Sequence, residues 1–303
     1  MLNTQQKKFL NANFSEIAYN VSLKAYSRFR IGGSAEAIIF PKKIQELKIL
    51  IPWLTHESIP WLVIGGGSNI LFDDSGFCGI IINLTHFSDM HPQGNVIKAD
   101  AGISLKRLCL HAIRNNLGGM NFALGIPGTL GGAVRMNAGA GGGQIADVIQ
   151  SILCMTPDGR TYQIKKEAMI IGYRNISWRD IANDAIVIGA SISLYKDNKH
   201  AIREDARQKM IYRKTTQPIG CACAGSFFKN PSNSLSAGYL IEQAGLKGYQ
   251  IGDAVVSNRH ANFIINKGHA TSKDIIQLMH NIQEKVMMKF NIQLQPEVKI
   301  IHV

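Results

Sequence analysis

Two glycine-rich stretches and one serine segment carry the residue types most able to do chemistry. The first stretch, Gly65-Gly66-Gly67-Ser68-Asn69, follows the apolar run Trp61-Leu62-Val63-Ile64. Glycines let a backbone approach a ligand closely and take φ > 0, so successive N–H groups can converge on an anion. Ser68 and Asn69 add side-chain donors. The spacing is neither GxGxxG nor a Walker A loop, so Rossmann and P-loop assignments both fail. An isolated GGG is as often only a flexible turn.

The second stretch is Gly125-Ile126-Pro127-Gly128-Thr129-Leu130-Gly131-Gly132, continued by Asn137-Ala138-Gly139. Flexible glycine linkers are rich in serine and poor in apolar residues. Here Ile126, Pro127, Leu130, Val134 and Met136 are interleaved, which suits a rigid loop packed on a core. Two backbone cradles in one chain suit a long ligand such as a dinucleotide. The third segment, Gly225-Ser226-Phe227-Phe228-Lys229-Asn230-Pro231, lacks the GxSxG elbow and any supporting His or Asp spacing, so a hydrolase nucleophile is not expected. Glu297, within Gln295-Pro296-Glu297-Val298, would by itself more often be a surface residue.

Composition limits the function classes. The chain of 303 residues holds 29 glycines, close to a tenth, against an average of about 7%. A formal net charge of +12 attracts polyanions. The Lys and Arg residues are scattered and no nucleic-acid motif accompanies them, so small anionic ligands are the expected partners and nucleic acid is not. The five cysteines include only one close pair, Cys221-Ala-Cys223, with no second pair to complete a metal site or a disulfide framework. No metal is expected. Met1 to Asn20 lacks the apolar core of a signal peptide, and no run reaches the ~18 apolar residues of a spanning helix. A cytoplasmic protein with no membrane partner is the expectation.

The elements that must position these residues are set by periodicity. Pro41–Leu54 reads as an amphipathic helix with Ile44, Leu47, Ile51 and Leu54 on one face. Trp61–Ile64, Cys78–Leu84, Val148–Met155 and Ala185–Leu194 read as strands, with a turn at Pro157-Asp158-Gly159. A helix capped by Ser104 points Leu105, Leu108, Cys109 and Ala112 inward and stops near Gly118. The last helix starts at Thr271 with Asp274 completing a capping box; its core face is Ile275, Met279, Ile282, Val286 and Phe290. The irregular alternation of strands and helices, with no internal repeat, gives an α+β class.

In order and spacing, GGGSN, GIPGTLGGAVRMNAGA, GYR, AGSFFKNP, GDAVVSNRHANFIIN and LQPEV resemble the UDP-N-acetylenolpyruvoylglucosamine reductase family, NADPH-dependent flavoenzymes of peptidoglycan precursor synthesis. The resemblance runs from about Ser27 to Glu297. The short span from Tyr173 to Ala190 leaves no room for the extra tyrosine loop of the longer subgroup, so the chain resembles the shorter one.

The resemblance implies a two-part FAD-binding region of the vanillyl-alcohol-oxidase type, residues 1–84 with a return of 294–303 and residues 85–207. An α+β substrate domain, 208–293, completes it. Arg30, Gly65 to Asn69, Gly125 to Thr129, Gly131, Gly132 and Asn137 to Gly139 would hold FAD, non-covalently because no His or Cys interrupts the first loop. Arg174, Ser226 and Glu297 match the catalytic set, and Tyr173, Lys214, Lys229, Asn230 and His260 the contacts to a UDP-sugar substrate, with NADPH as co-substrate. A monomer is expected. Asn175-Ile176 stands where the family commonly has x-Ser after Tyr-Arg, and Lys299 where it has Arg. The alternative on the same scaffold is a flavin oxidase or dehydrogenase of another small substrate, since a scaffold does not fix a substrate.

Overall fold

In the computed structural model the described residues are 1–179, 181 and 184–301. They form two compact units. Unit 1 comprises Met1–Tyr19, Glu36–Gly66 and Gly79–Tyr212; unit 2 comprises Asn20–Ala35, Gly67–Cys78 and Arg213–Val303. The first glycine loop contains one of the crossings, between Gly66 and Gly67.

Unit 1 is built on a five-stranded antiparallel sheet in the order Thr161–Lys165, Ile149–Met155, Ile186–Ser193, Val96–Asp100, Met90–Gln93. The central strand Ile186–Ser193 is buried along most of its length, in keeping with its mostly apolar and small residues. Helix Leu105–Arg114 lays Leu105, Leu108, Cys109 and Ala112 on this core, and the Ser104 hydroxyl accepts from the Arg107 N–H at 3.2 Å. It ends before Asn116, whose left-handed φ of 53° turns the chain well short of Gly118.

A second core in unit 1 gathers helix Ile44–His56 and strands Trp61–Ile64 and Phe77–Asn83, which pair in parallel. The helix starts later than its periodicity suggests because Lys43 is extended and Glu46 closes a capping box on it. Its buried face is Leu47, Leu50, Ile51 and Leu54, with Ile44 only partly buried.

Unit 2 packs helix Ser272–Phe290 on a three-stranded antiparallel sheet, Gln250–Ile251, Ala254–Val256 and Ile264–Asn266. Thr271 and Asp274 close the expected capping box, and Asn291 ends the helix with φ 54°. Strand Lys299–Ile301 lies parallel to Ile70–Phe72, and Phe29, Ile31, Phe227 and Phe228 join the same core.

Helix Lys199–Thr216 has no counterpart in the periodicity, because it buries only Ile202 and Ala206. Among the described residues no helix is long and apolar enough to cross a membrane, and no His/Cys/Asp/Glu group could hold a metal ion. All five cysteines are free thiols; burial pushes Cys154 up to about 12 and raises Cys223 as well.

Candidate functional site

The two glycine stretches meet within unit 1. A Cβ at Gly65 would lie 2.1 Å from the Thr129 hydroxyl oxygen, and one at Gly66 would lie 3.3 Å from the Gly128 Cα. Only glycine at 65 permits that approach. Gly128 takes φ 123° and Gly125 φ 84°, both closed to ordinary L side chains. The loop is fixed by its neighbours: Leu105 N–H donates to the Gly128 carbonyl at 3.1 Å, and Leu130 and Gly131 donate to Ile103 and Ala101 at 2.9 and 2.8 Å.

Gly66 and Gly128 offer N–H groups that meet no backbone acceptor among the described residues. The same holds in unit 2 for Gly67 and Ser68, where a Cβ at Gly67 would strike the Tyr26 carbonyl oxygen at 1.8 Å. Unused donors on rigid glycine backbone are what a dinucleotide pyrophosphate needs, so these residues fit FAD.

Asn137 is 1% exposed, with φ 40°. Its amide nitrogen donates to the Gln144 side-chain oxygen at 2.9 Å and to the Gly172 carbonyl at 3.0 Å, while its Oδ1 accepts from Ala146 N–H at 3.1 Å. Gly172 ends strand Met169–Gly172, which pairs with Asn175–Trp178 across a two-residue turn, Tyr173-Arg174. Arg174 occupies the left-handed region at φ 58°, donates from Nη1 to the Gly139 carbonyl at 3.1 Å, and carries its guanidinium 5.2 Å from the Tyr173 ring. Tyr173 itself is 51% exposed.

Arg30, in unit 2, is exposed and also left-handed at φ 57°, with its N–H donating to the Ser27 carbonyl at 2.9 Å. Asn and Gly take this conformation with little cost, whereas arginine has no local reason to. Arg30 and Arg174 are two of the seven non-glycine residues with positive φ among the described residues.

In unit 2 the serine segment and the C-terminal segment lie side by side. Glu297 N–H donates to the Phe227 carbonyl at 2.8 Å and Lys229 N–H to the Gln295 carbonyl at 2.9 Å, around an antiparallel bridge between Phe228 and Pro296. Ser226 and Glu297, both half-buried, are thereby brought onto neighbouring segments. Asn69 adds a further tie, its amide donating to the Glu297 carbonyl at 3.0 Å.

Asn262 locks the other side of the serine segment. Its backbone carbonyl accepts from Phe227 N–H at 2.7 Å, its Oδ1 from Phe228 N–H at 2.9 Å, and its amide donates to the Phe228 carbonyl at 2.8 Å. Asn262 carries no chemistry that sequence reasoning could single out; its place within SNRHANF was the available signal. His260, two residues away, is half-buried beside Gly238 and stacks edge-on against Phe263 at 4.8 Å. Its Nδ1 accepts from Asn262 N–H at 3.3 Å, and burial holds its pKa below the ordinary imidazole value.

The remaining expected contacts are spread over unit 2. Lys214 sits in helix Lys199–Thr216, where its carbonyl accepts from Arg259 Nη1 at 3.2 Å. Asn230 is exposed and its Oδ1 accepts from Ala237 N–H at 3.1 Å, the first turn of helix Ala237–Gln243. Arg174 and Tyr173 belong to unit 1, whereas Ser226, Lys229, Asn230, His260 and Glu297 belong to unit 2.

Comparisons with known proteins identify the family. Residues 35–165 match an FAD binding domain, and residues 217–301 match the UDP-N-acetylenolpyruvoylglucosamine reductase C-terminal domain. A UDP-N-acetylenolpyruvoylglucosamine reductase of Desulfosudis oleivorans is 37% identical over 94% of this chain and 94% of its own length. One from Clostridium botulinum is 39% identical over 92% of this chain and 90% of its own. The crystal structure of the enzyme from Thermus caldophilus superposes with a TM-score of 0.80 at 32% identity, covering 94% of this chain and 98% of that one.

Proposed function

The chain belongs to the UDP-N-acetylenolpyruvoylglucosamine reductase family, and we propose that within it Arg174, Ser226 and Glu297 divide the chemistry of the reduction among them. It is an FAD-dependent oxidoreductase of α+β fold, an FAD-binding region of the vanillyl-alcohol-oxidase type followed by the C-terminal domain. It reduces the enolpyruvyl ether of UDP-N-acetylglucosamine with NADPH, in peptidoglycan precursor synthesis. Bound FAD supplies the relay of hydride from NADPH to the terminal carbon of the enolpyruvyl double bond.

That addition builds negative charge beside a carboxylate. Arg174 presents a planar, permanently charged fork suited to holding the carboxylate in place. Glu297, if it retains a proton, would hydrogen-bond the enol-like oxygen, where charge develops. Ser226 gives its hydroxyl proton to the α-carbon; a hydroxyl is a weak acid, but a carbanion-like centre is basic enough to take it. Tyr173, Lys214, Lys229, Asn230 and His260 orient the UDP-sugar.

Gly65 to Asn69, Gly125 to Gly132 and Arg30 hold the flavin non-covalently, and the unused N–H groups of Gly66, Gly67, Ser68 and Gly128 support that assignment. Residues 1–84 with 294–303, and residues 85–207, serve as the cofactor parts, and 208–293 as the substrate domain. The enzyme works as a monomer in the cytoplasm, since NADPH and a nucleotide-activated sugar are cytoplasmic solutes.

The observation that supports the catalytic reading best is the 2.8 Å bond from Glu297 N–H to the carbonyl of Phe227, the residue that follows Ser226. The test is to incubate purified protein with NADPH and the enolpyruvyl UDP-sugar and weigh the product. NADPH loss matched by a product heavier by two hydrogens is expected. NADPH loss without that product would contradict the reading.

A further inference from the structure

We infer that Asn137 is a positioning residue for Arg174 rather than a ligand of the cofactor. The inference rests on the catalytic role proposed for Arg174. Its own observations are a closed set of contacts inside unit 1.

An asparagine amide has two N–H donors and one carbonyl acceptor. Asn137 directs both donors into the protein, to Gln144 Oε1 and the Gly172 carbonyl, and its Oδ1 accepts the Ala146 N–H. With 1% of its surface exposed, it offers no donor to a ligand. Its left-handed backbone, φ 40°, is one that asparagine tolerates.

The bond to Gly172 matters because of where Gly172 stands in the hairpin. It is the last paired residue before the Tyr173-Arg174 turn, and it pairs with Asn175 on the far side. Two residues of turn leave little play between a held Gly172 and the Arg174 guanidinium. That guanidinium is in turn held by the Gly139 carbonyl, two residues beyond Asn137. The segment 137–139 therefore grips the Arg174 hairpin twice, once at the end of its first strand and once at the tip. Arg174 must sit in a left-handed conformation to point as it does, and such a conformation persists only where the surroundings hold it. Asn137 is the buried half of that hold.

The consequence is specific to one half-reaction. Loosening the hairpin displaces the group that receives the substrate carboxylate, and a misplacement of about 1 Å costs on the order of 10²-fold in rate. The 125–132 loop keeps its own anchors, Gly128 to Leu105, Leu130 to Ile103 and Gly131 to Ala101.

Two variants separate the contributions. Asn137→Gly removes the whole amide while keeping the left-handed backbone easy. Asn137→Asp keeps the acceptor for Ala146 N–H and removes both donors. In each, flavin absorbance per chain and the rate of flavin reduction by NADPH are expected to match the parent. Reoxidation of the reduced flavin by the enolpyruvyl UDP-sugar is expected to slow on the order of 10²-fold, with a raised KM for that substrate alone. In an Arg174→Ala background, adding Asn137→Gly is expected to slow reoxidation no further.

Flavin lost in proportion to the missing amide, with normal reoxidation in the flavin-bearing fraction, would overturn the inference in favour of a cofactor ligand. Additive losses in the double variant would overturn it too, as would insolubility of both single variants, which would assign Asn137 to the fold. If Arg174→Ala alone leaves reoxidation intact, the role of Arg174 is what fails.

Discussion

The side-chain amide of Asn69 donates to the backbone carbonyl of Glu297 at 3.0 Å, and the Asn69 carbonyl accepts from Lys299 N–H at the same distance. The last residue of the first glycine loop thus clamps the segment that carries Glu297, on both sides of Val298. Asn69 is therefore a joint between cofactor loop and chemistry within unit 2. Removing the amide in Asn69→Ala should cost about 1 kcal/mol of stability, the usual net value of one such bond. Substrate-dependent flavin reoxidation should slow more than NADPH-dependent reduction, as stopped-flow absorbance would show. Equal slowing of both would place the effect in the cofactor loop alone.

Gly128 combines φ 123° with close approach to Gly66. A valine there suffers both a forbidden backbone and a branched side chain in the loop that should hold the flavin. Gly128→Val is expected to purify soluble but pale, with flavin released on denaturation well below one per chain. Full flavin occupancy would remove this loop from the cradle.

Arg174 sits where a glycine would be more comfortable, and the left-handed backbone costs about 1–2 kcal/mol for a side-chain-bearing residue. Arg174→Gly relieves that cost while deleting the guanidinium. Its thermal midpoint should therefore not fall, although substrate-dependent reoxidation drops at least on the order of 10²-fold. A variant both less stable and fully active would reverse the assignment.

His260 gives a pH dependence with a definite sign. Burial lowers its folded pKa below the unfolded value of about 6.5, so the unfolded chain binds the proton more readily. This contribution to stability is present above pH ~6.5 and declines as pH falls through the unfolded value. The positive charge of nearby Lys247 acts in the same direction as burial, and the negative charge of Glu242 acts against it. Protonation also removes the Nδ1 acceptor from Asn262 N–H, and Asn262 is what braces Phe227 and Phe228 next to Ser226. An NMR titration should place the His260 transition below ~6.5, and His260→Asn should flatten the acid limb of the stability curve. A transition above that value would contradict the sign.

Much of this was legible in the sequence, for reasons visible residue by residue. Local signals read well: Thr271 with Asp274 starts its helix, Ser104 starts another, and Leu105, Leu108, Cys109 and Ala112 turn inward as their spacing requires. Helix Lys199–Thr216 did not read, because burying only Ile202 and Ala206 leaves no apolar stripe. The glycine stretches were visible as composition, but their meeting through Gly65 and Thr129 is a long-range contact that no local pattern encodes. The same is true of Asn137. Its bonds to Gln144, Gly172 and Ala146 join residues distant in sequence. The left-handed φ of Arg30 and Arg174 is likewise invisible in residue type, since arginine carries no turn preference.

The role of Ser226 as proton donor is the central chemical claim, and separating the half-reactions of Ser226→Ala tests it most directly. Stopped-flow absorbance follows flavin bleaching by NADPH and then its recovery on adding the enolpyruvyl UDP-sugar. Bleaching should proceed at the parent rate with FAD fully retained, while recovery slows by roughly the 10²–10⁴-fold of a lost general acid. Recovery at the parent rate with normal product would contradict the account and remove Ser226 as the acid.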